Sequence, residues 1–196
     1  YRGEARQVSF TGDFCGWEPH ARSALRIEGT DLWVQEESFP LTARLDYKIV
    51  VDGDRWILDP QNLRTQRGGF GPNSELRMPG YEPSPWVERR EGVAGGLLSA
   101  PVSLASAALG YRVAYRVYLP ADYDGLTDLP TIYVTDGHEY AADDMGSMVI
   151  VLDNLIAAGR LAPLLAVFVD PRVGGRNLRS EQYVLNPDFA RFFDEE

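Results

Sequence analysis

Cysteine, histidine and lysine are almost absent from this sequence. It contains one cysteine (Cys15), two histidines (His20 and His138) and one lysine (Lys48) among 196 residues. A single cysteine excludes a disulfide bond within the chain, and so few sulfur and imidazole groups leave no recognisable zinc cluster. We therefore expect neither a bound metal nor a cofactor.

Clustered positive charge and hydrophobic runs of membrane-spanning length are also missing. The formal net charge is −10, and every basic residue except Lys48 is an arginine, scattered along the chain. Nucleic acid is excluded as a partner because binding phosphates needs clustered positive charge. The only long apolar run, residues 161–169, contains Pro163 and is too short to cross a bilayer, so no membrane partner is expected. We expect a cytoplasmic protein, with secretion left open because the first residue is Tyr1 rather than Met.

Residues 1–81 alternate short β-rich stretches with turn signals, which is the pattern of an antiparallel sandwich. Asp52-Gly53-Asp54 has the composition of a tight hairpin turn, and a glycine-rich loop is predicted over residues 67–73. The predicted strands are residues 7–11, 32–39, 45–51, 55–58 and 74–78.

A change of pattern places a domain boundary after this region. Residues 82–96 carry two prolines and three glycines with little periodicity, as expected of a linker. The predicted organisation is a β-sandwich over residues 1–82, a linker over 83–96 and a second domain over 97–196.

The second domain shows strand and helix patterns in alternation. Strands are predicted at residues 102–109, 112–119, 131–135 and 164–169. A helix is predicted from Asp143 or Asp144 to Ala158, with Gly159 as its stop. Because the strand at 164–169 is apolar throughout, it is typical of a parallel sheet covered on both faces. Strand, helix and strand therefore predict a right-handed βαβ unit.

The last helix is predicted to begin with Asn186 as its cap and Pro187 in its first turn. It reaches Glu196 with three acidic residues and no glycine stop, an unfavourable end for a helix. Only one complete helix then covers the apolar strand. We therefore expect the last helix to be interrupted and about half of this domain to lie beyond Glu196.

A set of motifs in the first domain is similar to a known sugar-binding fold. Thr11-Gly12-Asp13-Phe14-Cys15-Gly16-Trp17, residues 47–53, Trp56, Asp59-Pro60 and Asn73 together resemble the glycogen-binding module of starch-debranching enzymes and of the AMP-activated kinase β-subunit. The resemblance covers residues 7–80 and implies an immunoglobulin-like, early-set sandwich. The residues that it implies for α-glucan binding are Trp17, Lys48, Trp56 and Asn73.

The chemistry of these four side chains suits a sugar, because indole planes stack on the C–H faces of the rings while Lys and Asn bond the hydroxyl groups. The alternative is equally open. Trp17 and Trp56 would then be packing residues and Lys48 an outward-facing strand residue. A retained fold does not imply retained binding.

Three segments of the second domain carry a resemblance to a known family: residues 116–123, residues 129–137, and Arg179-Ser180-Glu181-Gln182-Tyr183 ahead of Asn186-Pro187-Asp188-Phe189. With them, residues 97–196 resemble the N-terminal part of the putative esterase family of α/β-hydrolases, which includes enterochelin esterases, feruloyl esterases, esterase D and mycolyltransferases. It implies a serine nucleophile in a G-x-S-x-G turn, followed along the chain by an acid and a histidine.

No G-x-S-x-G occurs in the sequence. The nearest match, around Ser147, lies in the predicted helix rather than on a strand-to-helix turn and is rejected. His138 precedes any nucleophile and is not the general base, because the catalytic histidine of this fold comes last. The nucleophile, acid and base are therefore expected outside residues 1–196.

The resemblance does imply half of an oxyanion hole in this chain. One donor of that hole is a backbone N–H in the loop after the third strand, which is Thr135-Asp136-Gly137-His138 here. The backbone N–H of His138 is the predicted donor, with Gly137 in the same loop and Asp136 fixing the turn. The alternative is a turn with no catalytic part. Arg172, Arg176 and Arg179 are open as contacts to an acidic substrate.

The predicted function is that of a serine carboxylic ester hydrolase acting through an acyl-enzyme. A siderophore trilactone or a feruloylated polysaccharide would suit it. The alternative is a carbohydrate-binding protein with an inactive hydrolase-like portion. Expected partners are the ester substrate and the remainder of the hydrolase domain, with a homodimer left open.

Overall fold

The computed structural model describes residues 1–20 and 22–196. The chain divides into two compact units, Tyr1–Pro83 and Ser84–Glu196. No helix among the described residues combines the length and apolar character needed to span a membrane.

The first unit is built from antiparallel strands. Five of them form one sheet in the order β1-β4-β7-β6, with β5 paired to the end of β4, and β2 and β3 form a separate pair. The strands are β1 (Val8–Gly12), β2 (Leu25–Arg26), β3 (Trp33–Val34), β4 (Arg44–Val51), β5 (Arg55–Ile57), β6 (Thr65–Gly68) and β7 (Gly71–Arg77).

The core of the first unit lies on one face of the long strand β4. Ile49 and Val51 are fully buried and pack with Val8 and Trp33. Because side chains alternate across a strand, Asp46, Lys48 and Val50 point to the opposite face. The strand therefore separates an apolar core from a second, more polar surface.

Two sequence predictions in this unit are wrong. The strand predicted over residues 32–39 is limited to Trp33–Val34. The loop predicted over 67–73 is instead a hairpin, in which Gly68 pairs with Gly71 and residues 69 and 70 form the turn. Gly71 has a φ of +93°, a conformation that glycine adopts without strain. The glycines thus permit a tight turn rather than a loop.

The second unit contains a mixed sheet with helices. The sheet order is β11-β12-β10-β8, and β9 also pairs with β10. Only β11 and β12 are parallel among the described residues, and helix α2 lies between them along the chain, as the predicted βαβ unit requires. The elements are β8 (Leu97–Leu98), β9 (Val102–Ala105), β10 (Arg112–Leu119), β11 (Thr131–Val134), α1 (Gly137–Tyr140), α2 (Met148–Ala157), β12 (Leu165–Asp170), β13 (Arg172–Val173), β14 (Arg176–Asn177), α3 (Arg179–Tyr183) and α4 (Pro187–Glu195).

Strand β12 is apolar on both sides because both sides are covered. Ala166 and Phe168 pack with Leu152 of α2, whereas Val169 packs with Phe189 and Phe192 of α4. Helix α4, which extends to Glu195, therefore covers the side of the strand that α2 does not.

The ends of several predicted elements also shift. Neither Asp143 nor Asp144 caps α2. The helix begins at Met148, and Ser147 is its N-cap residue with a φ of +50°. The predicted strand over 102–109 ends at Ala105. By contrast, β10 has its predicted limits, and Asn186 caps α4 by accepting bonds from the N–H groups of Asp188 and Phe189.

Candidate functional sites

One pocket of the first unit contains all four residues that the sequence analysis assigned to sugar binding. Its volume is about 670 Å³. The residues that line it are Asp13, Trp17, Asp46, Lys48, Trp56, Gly68, Gly69, Phe70 and Asn73.

The sheet brings these side chains together. Asp46 and Lys48 lie on the face of β4 away from the core, and Trp56 of β5 pairs with Val50 on that face. Asn73 comes from β7, next to Ser74, which pairs with Tyr47 of β4. The four predicted residues are thus neighbours across three strands and the turn that holds Trp17.

Two aspartates missed by the sequence analysis hold this arrangement. The Trp17 indole N–H donates to Asp13 Oδ1 at 3.0 Å, and the other oxygen of Asp13 accepts from the Asp46 backbone N–H at 2.8 Å. Asn73 Nδ2 donates to Asp46 Oδ2 at 3.3 Å. Hydrogen bonds within the protein therefore orient the Trp17 indole and the Asn73 amide.

The Asp46 carboxyl group is partly buried. Burial raises its pKa above the ordinary value, and this outweighs the opposing effect of the bond from Asn73 and of Arg44, whose Nη2 lies 2.9 Å from Asp46 Oδ1. Phe70, at the tip of the β6–β7 hairpin, is 90% exposed and adds an apolar surface at the rim. The pocket combines aromatic faces with hydrogen-bonding groups.

The predicted oxyanion loop lies directly after β11. Gly137 and His138 are the first two residues of α1, and the N–H groups of a first helical turn have no acceptor within the helix. A Cβ added to Gly137 would lie 2.3 Å from the Phe168 carbonyl carbon and 2.4 Å from the Val169 nitrogen. This loop therefore presses against the backbone of β12, and only glycine fits at its first helical position.

Asp136 fixes the turn ahead of these two residues. Its φ is +51°, and it is 8% exposed. Its backbone N–H donates to Tyr183 Oη at 2.9 Å, and its carboxylate contacts both Tyr183 Oη, at 3.3 Å, and Arg179 Nη2, at 3.1 Å. These contacts are those of a residue that fixes the turn, which is the role predicted for Asp136.

The imidazole of His138 faces two carboxylates. Nδ1 lies 3.5 Å from Asp170 Oδ1, and Nε2 lies 3.4 Å from Glu139 Oε1. Nδ1 is buried and has no hydrogen-bond partner among the described residues. The ring borders a pocket of about 200 Å³ that is also lined by Tyr115, Arg116 and Arg172.

The three arginines considered as contacts to an acidic substrate are each in an ion pair. Arg172 pairs with Asp170 at 2.7 Å, Arg176 with Glu181 at 3.1 Å and Arg179 with Asp136 at 3.1 Å. Their charge is therefore matched locally. Among the described residues, no group of three or more His, Cys, Asp or Glu side chains could hold a metal ion.

Replacing Arg172 with methionine is expected to weaken the pH dependence of stability in acid. Burial raises the pKa of Asp170, but hydrogen bonds from Arg172 outweigh it and hold this pKa below its usual value of 3.8. A carboxyl group with a lowered pKa in the folded state stabilises the protein above its unfolded pKa, and this contribution is lost as the pH falls through the folded pKa.

The measurement is the free energy of unfolding in urea, from about pH 7 down to about pH 3. Arg172→Met should lower stability at neutral pH and flatten its decline below about pH 4. Arg176→Met is the matched control, because Arg176 and Glu181 are both largely exposed. An acid limb with the slope of the original protein would contradict the prediction.

Ser147 does not lie on a nucleophile turn. It precedes the first residue of α2, and its Oγ donates to the carbonyl oxygen of Asp143 at 2.8 Å. The sequence analysis places Ser147 inside the helix, whereas the structure has it as the N-cap residue. Its hydroxyl bonds the turn ahead of the helix.

The fold is similar to that of solved esterase structures. The chain has a TM-score of 0.72 and 20% identity to the ferric enterobactin esterase from Salmonella typhimurium, over 97% of this chain and 54% of that one. For the enterobactin esterase from Shigella flexneri, solved in the presence of enterobactin, the TM-score is 0.71 and the identity 20%, over 98% and 54% of the two chains. At this identity the likeness establishes the fold alone.

The chain spans about half the length of these solved proteins. No curated protein matches it. Residues 106–196 match the family model described as putative esterase. This match covers most of the second unit, which is therefore similar to the putative esterase family.

Proposed function

We propose that this chain is the N-terminal part of a serine carboxylic ester hydrolase that works through an acyl-enzyme. The observation that carries the proposal is the turn after β11, where the backbone N–H of His138 emerges from the start of a helix in a domain similar to the putative esterase family. Such N–H groups stabilise the negative oxygen that forms when a nucleophile attacks an ester carbonyl.

The proposed reaction follows from this donor. A serine hydroxyl, deprotonated by a histidine, attacks the carbonyl carbon of the ester, and the oxyanion accepts bonds from the His138 N–H and from the N–H after the serine. Loss of the alcohol leaves an acyl-serine, which water then hydrolyses. The serine, acid and histidine are proposed to lie in polypeptide that follows residue 196.

We propose that the chain has three parts. Residues 1–82 form an immunoglobulin-like, early-set β-sandwich, residues 83–96 connect the two domains, and residues 97–196 belong to the hydrolase domain. A siderophore trilactone is the favoured ester, because the solved proteins that share the fold over nearly the whole chain are enterobactin esterases. A feruloylated polysaccharide is the substrate to test if the first unit binds sugar.

The test uses the complete translated product of the gene that contains residues 1–196. It is expected to hydrolyse p-nitrophenyl acetate and enterobactin, and a fluorophosphonate should inactivate it by labelling one serine outside residues 1–196. Labelling of Ser147, or no ester hydrolysis at all, would contradict the proposal.

A second candidate function, α-glucan binding by the first unit, is supported by a different observation. Trp17, Lys48, Trp56 and Asn73 line one pocket, although they lie far apart along the chain. The pocket has the aromatic faces and edge hydrogen-bonding groups that a sugar ring requires. If the complete product binds a glucan and hydrolyses no ester, a carbohydrate-binding protein with an inactive hydrolase-like portion is the better description.

A further inference from the structure

Asp136 adopts a backbone conformation that needs outside support. A positive φ in a residue other than glycine is unfavourable and persists where surrounding contacts impose it. Asp136 has such a φ, and it immediately precedes the two residues whose N–H groups begin α1. The contacts that hold Asp136 therefore fix the backbone immediately ahead of Gly137 and His138.

The support comes from one turn of helix α3. Tyr183 Oη accepts the Asp136 backbone N–H at 2.9 Å and donates to the carboxylate Oδ1 at 3.3 Å, while Arg179 holds the other carboxylate oxygen, Oδ2, at 3.1 Å. Residues separated by four positions lie on the same face of a helix. Arg179 and Tyr183 thus contact Asp136 from one side, as a pair.

Helix α3 is itself anchored to the rest of the unit. The ring of Tyr183 lies 5.4 Å from that of Phe189 in α4, between centroids. Gln182, which is buried, donates from Nε2 to Tyr111 Oη at 3.0 Å. The pair that grips Asp136 is therefore carried by a packed element.

We infer that Arg179 and Tyr183 are positioning residues of the oxyanion turn: through Asp136 they hold the His138 backbone N–H in the direction that stabilises the transition state. The inference rests on the proposed esterase function. It also gives a role to the contact between Asp136 and a residue 47 positions away along the chain. Neither residue contacts the reacting atoms in this scheme.

The experiment compares variants of the complete gene product in ester hydrolysis. Tyr183→Phe and Arg179→Met are each expected to lower kcat by roughly 10- to 100-fold, because a small misplacement of one oxyanion donor is costly, while KM changes by less than about 2-fold. Affinity for an aryl boronic acid, which forms a tetrahedral adduct on the serine, should fall by at least about 10-fold. Arg179→Lys, which keeps a cation, should recover part of kcat.

Two matched variants separate positioning from stability. Tyr111→Phe removes a phenol that bonds the same helix through Gln182, and Arg176→Met removes a neighbouring arginine that pairs with Glu181. Both should keep the kcat and the boronic acid affinity of the original protein, even where the melting temperature falls. If Tyr183→Phe does not fold, the two Arg179 variants make the same comparison.

The outcomes are distinct. An original protein that hydrolyses no ester defeats the proposed function and this inference together. An active original protein whose Tyr183→Phe and Arg179→Met variants keep kcat and boronic acid affinity defeats the inference alone. Equal losses in the variants and in Tyr111→Phe would assign the effect to general stability of α3, which also overturns it.

Discussion

Gly137→Ala is expected to lower the free energy of unfolding of the second unit by about 3 kcal/mol, the upper part of the usual range for overpacking a filled interior. The methyl group of the alanine would overlap the Phe168 carbonyl carbon and the Val169 nitrogen. These are backbone atoms of the central strand β12, so no flexible side chain can move aside. The turn or the strand must shift instead.

Hydrogen exchange of peptides from β11 and β12, measured in increasing denaturant, reports on this unit separately from the first. Gly125→Ala is the matched control, because a methyl group there meets no atom within 4 Å and the backbone has no positive φ. It should change stability by less than about 0.5 kcal/mol. A Gly137→Ala protein as stable as this control would show that the turn does not press on β12.

Some of the fold was predictable because it depends on short-range rules. Asn186 followed by Pro187 is a local signal for a helix start, and α4 begins there. The run that forms β12 predicted a strand buried on both faces, and both faces are covered. In each case a few neighbouring residues carry the information.

The wrong predictions depend on tertiary contacts. An aspartate ahead of an apolar stretch is a good helix cap, yet α2 starts later, because the segment before it turns back on α1: a Cβ on Gly146 would lie 2.4 Å from Tyr140 Cα. Similarly, residues 32–39 were predicted as one strand, but only Trp33–Val34 pairs with another strand. Composition does not specify which neighbour a segment meets.

The residues of the candidate sites also fall into those that a sequence motif identifies and those that only tertiary contacts reveal. Trp17, Lys48, Trp56 and Asn73 were identified by resemblance to a motif, and the structure brings them into one pocket. Asp13 and Asp46 were missed because their importance lies in what they hold, namely the Trp17 indole and the Asn73 amide. The contacts from Arg179 and Tyr183 to Asp136 were likewise invisible, since no local pattern links segments so far apart in sequence.

Trp56→Ala is expected to weaken binding of maltoheptaose to this chain by about 2 kcal/mol, or roughly 30-fold, because an aromatic platform supplies much of the affinity of such a pocket. Trp56 is 43% exposed and lies outside the apolar core cluster of its unit. Its removal should therefore cost binding without unfolding the sheet.

Isothermal titration calorimetry is the suitable measurement, since the variant loses one of the fluorescent reporters. Leu63→Ala, which truncates a 95% exposed apolar side chain of the same unit, should bind like the original chain. A xylan fragment titrated in parallel tests whether the pocket prefers α-glucan. Saturable binding that survives in Trp56→Ala would place the sugar elsewhere, and the absence of any heat with the original chain would leave the two tryptophans as packing residues.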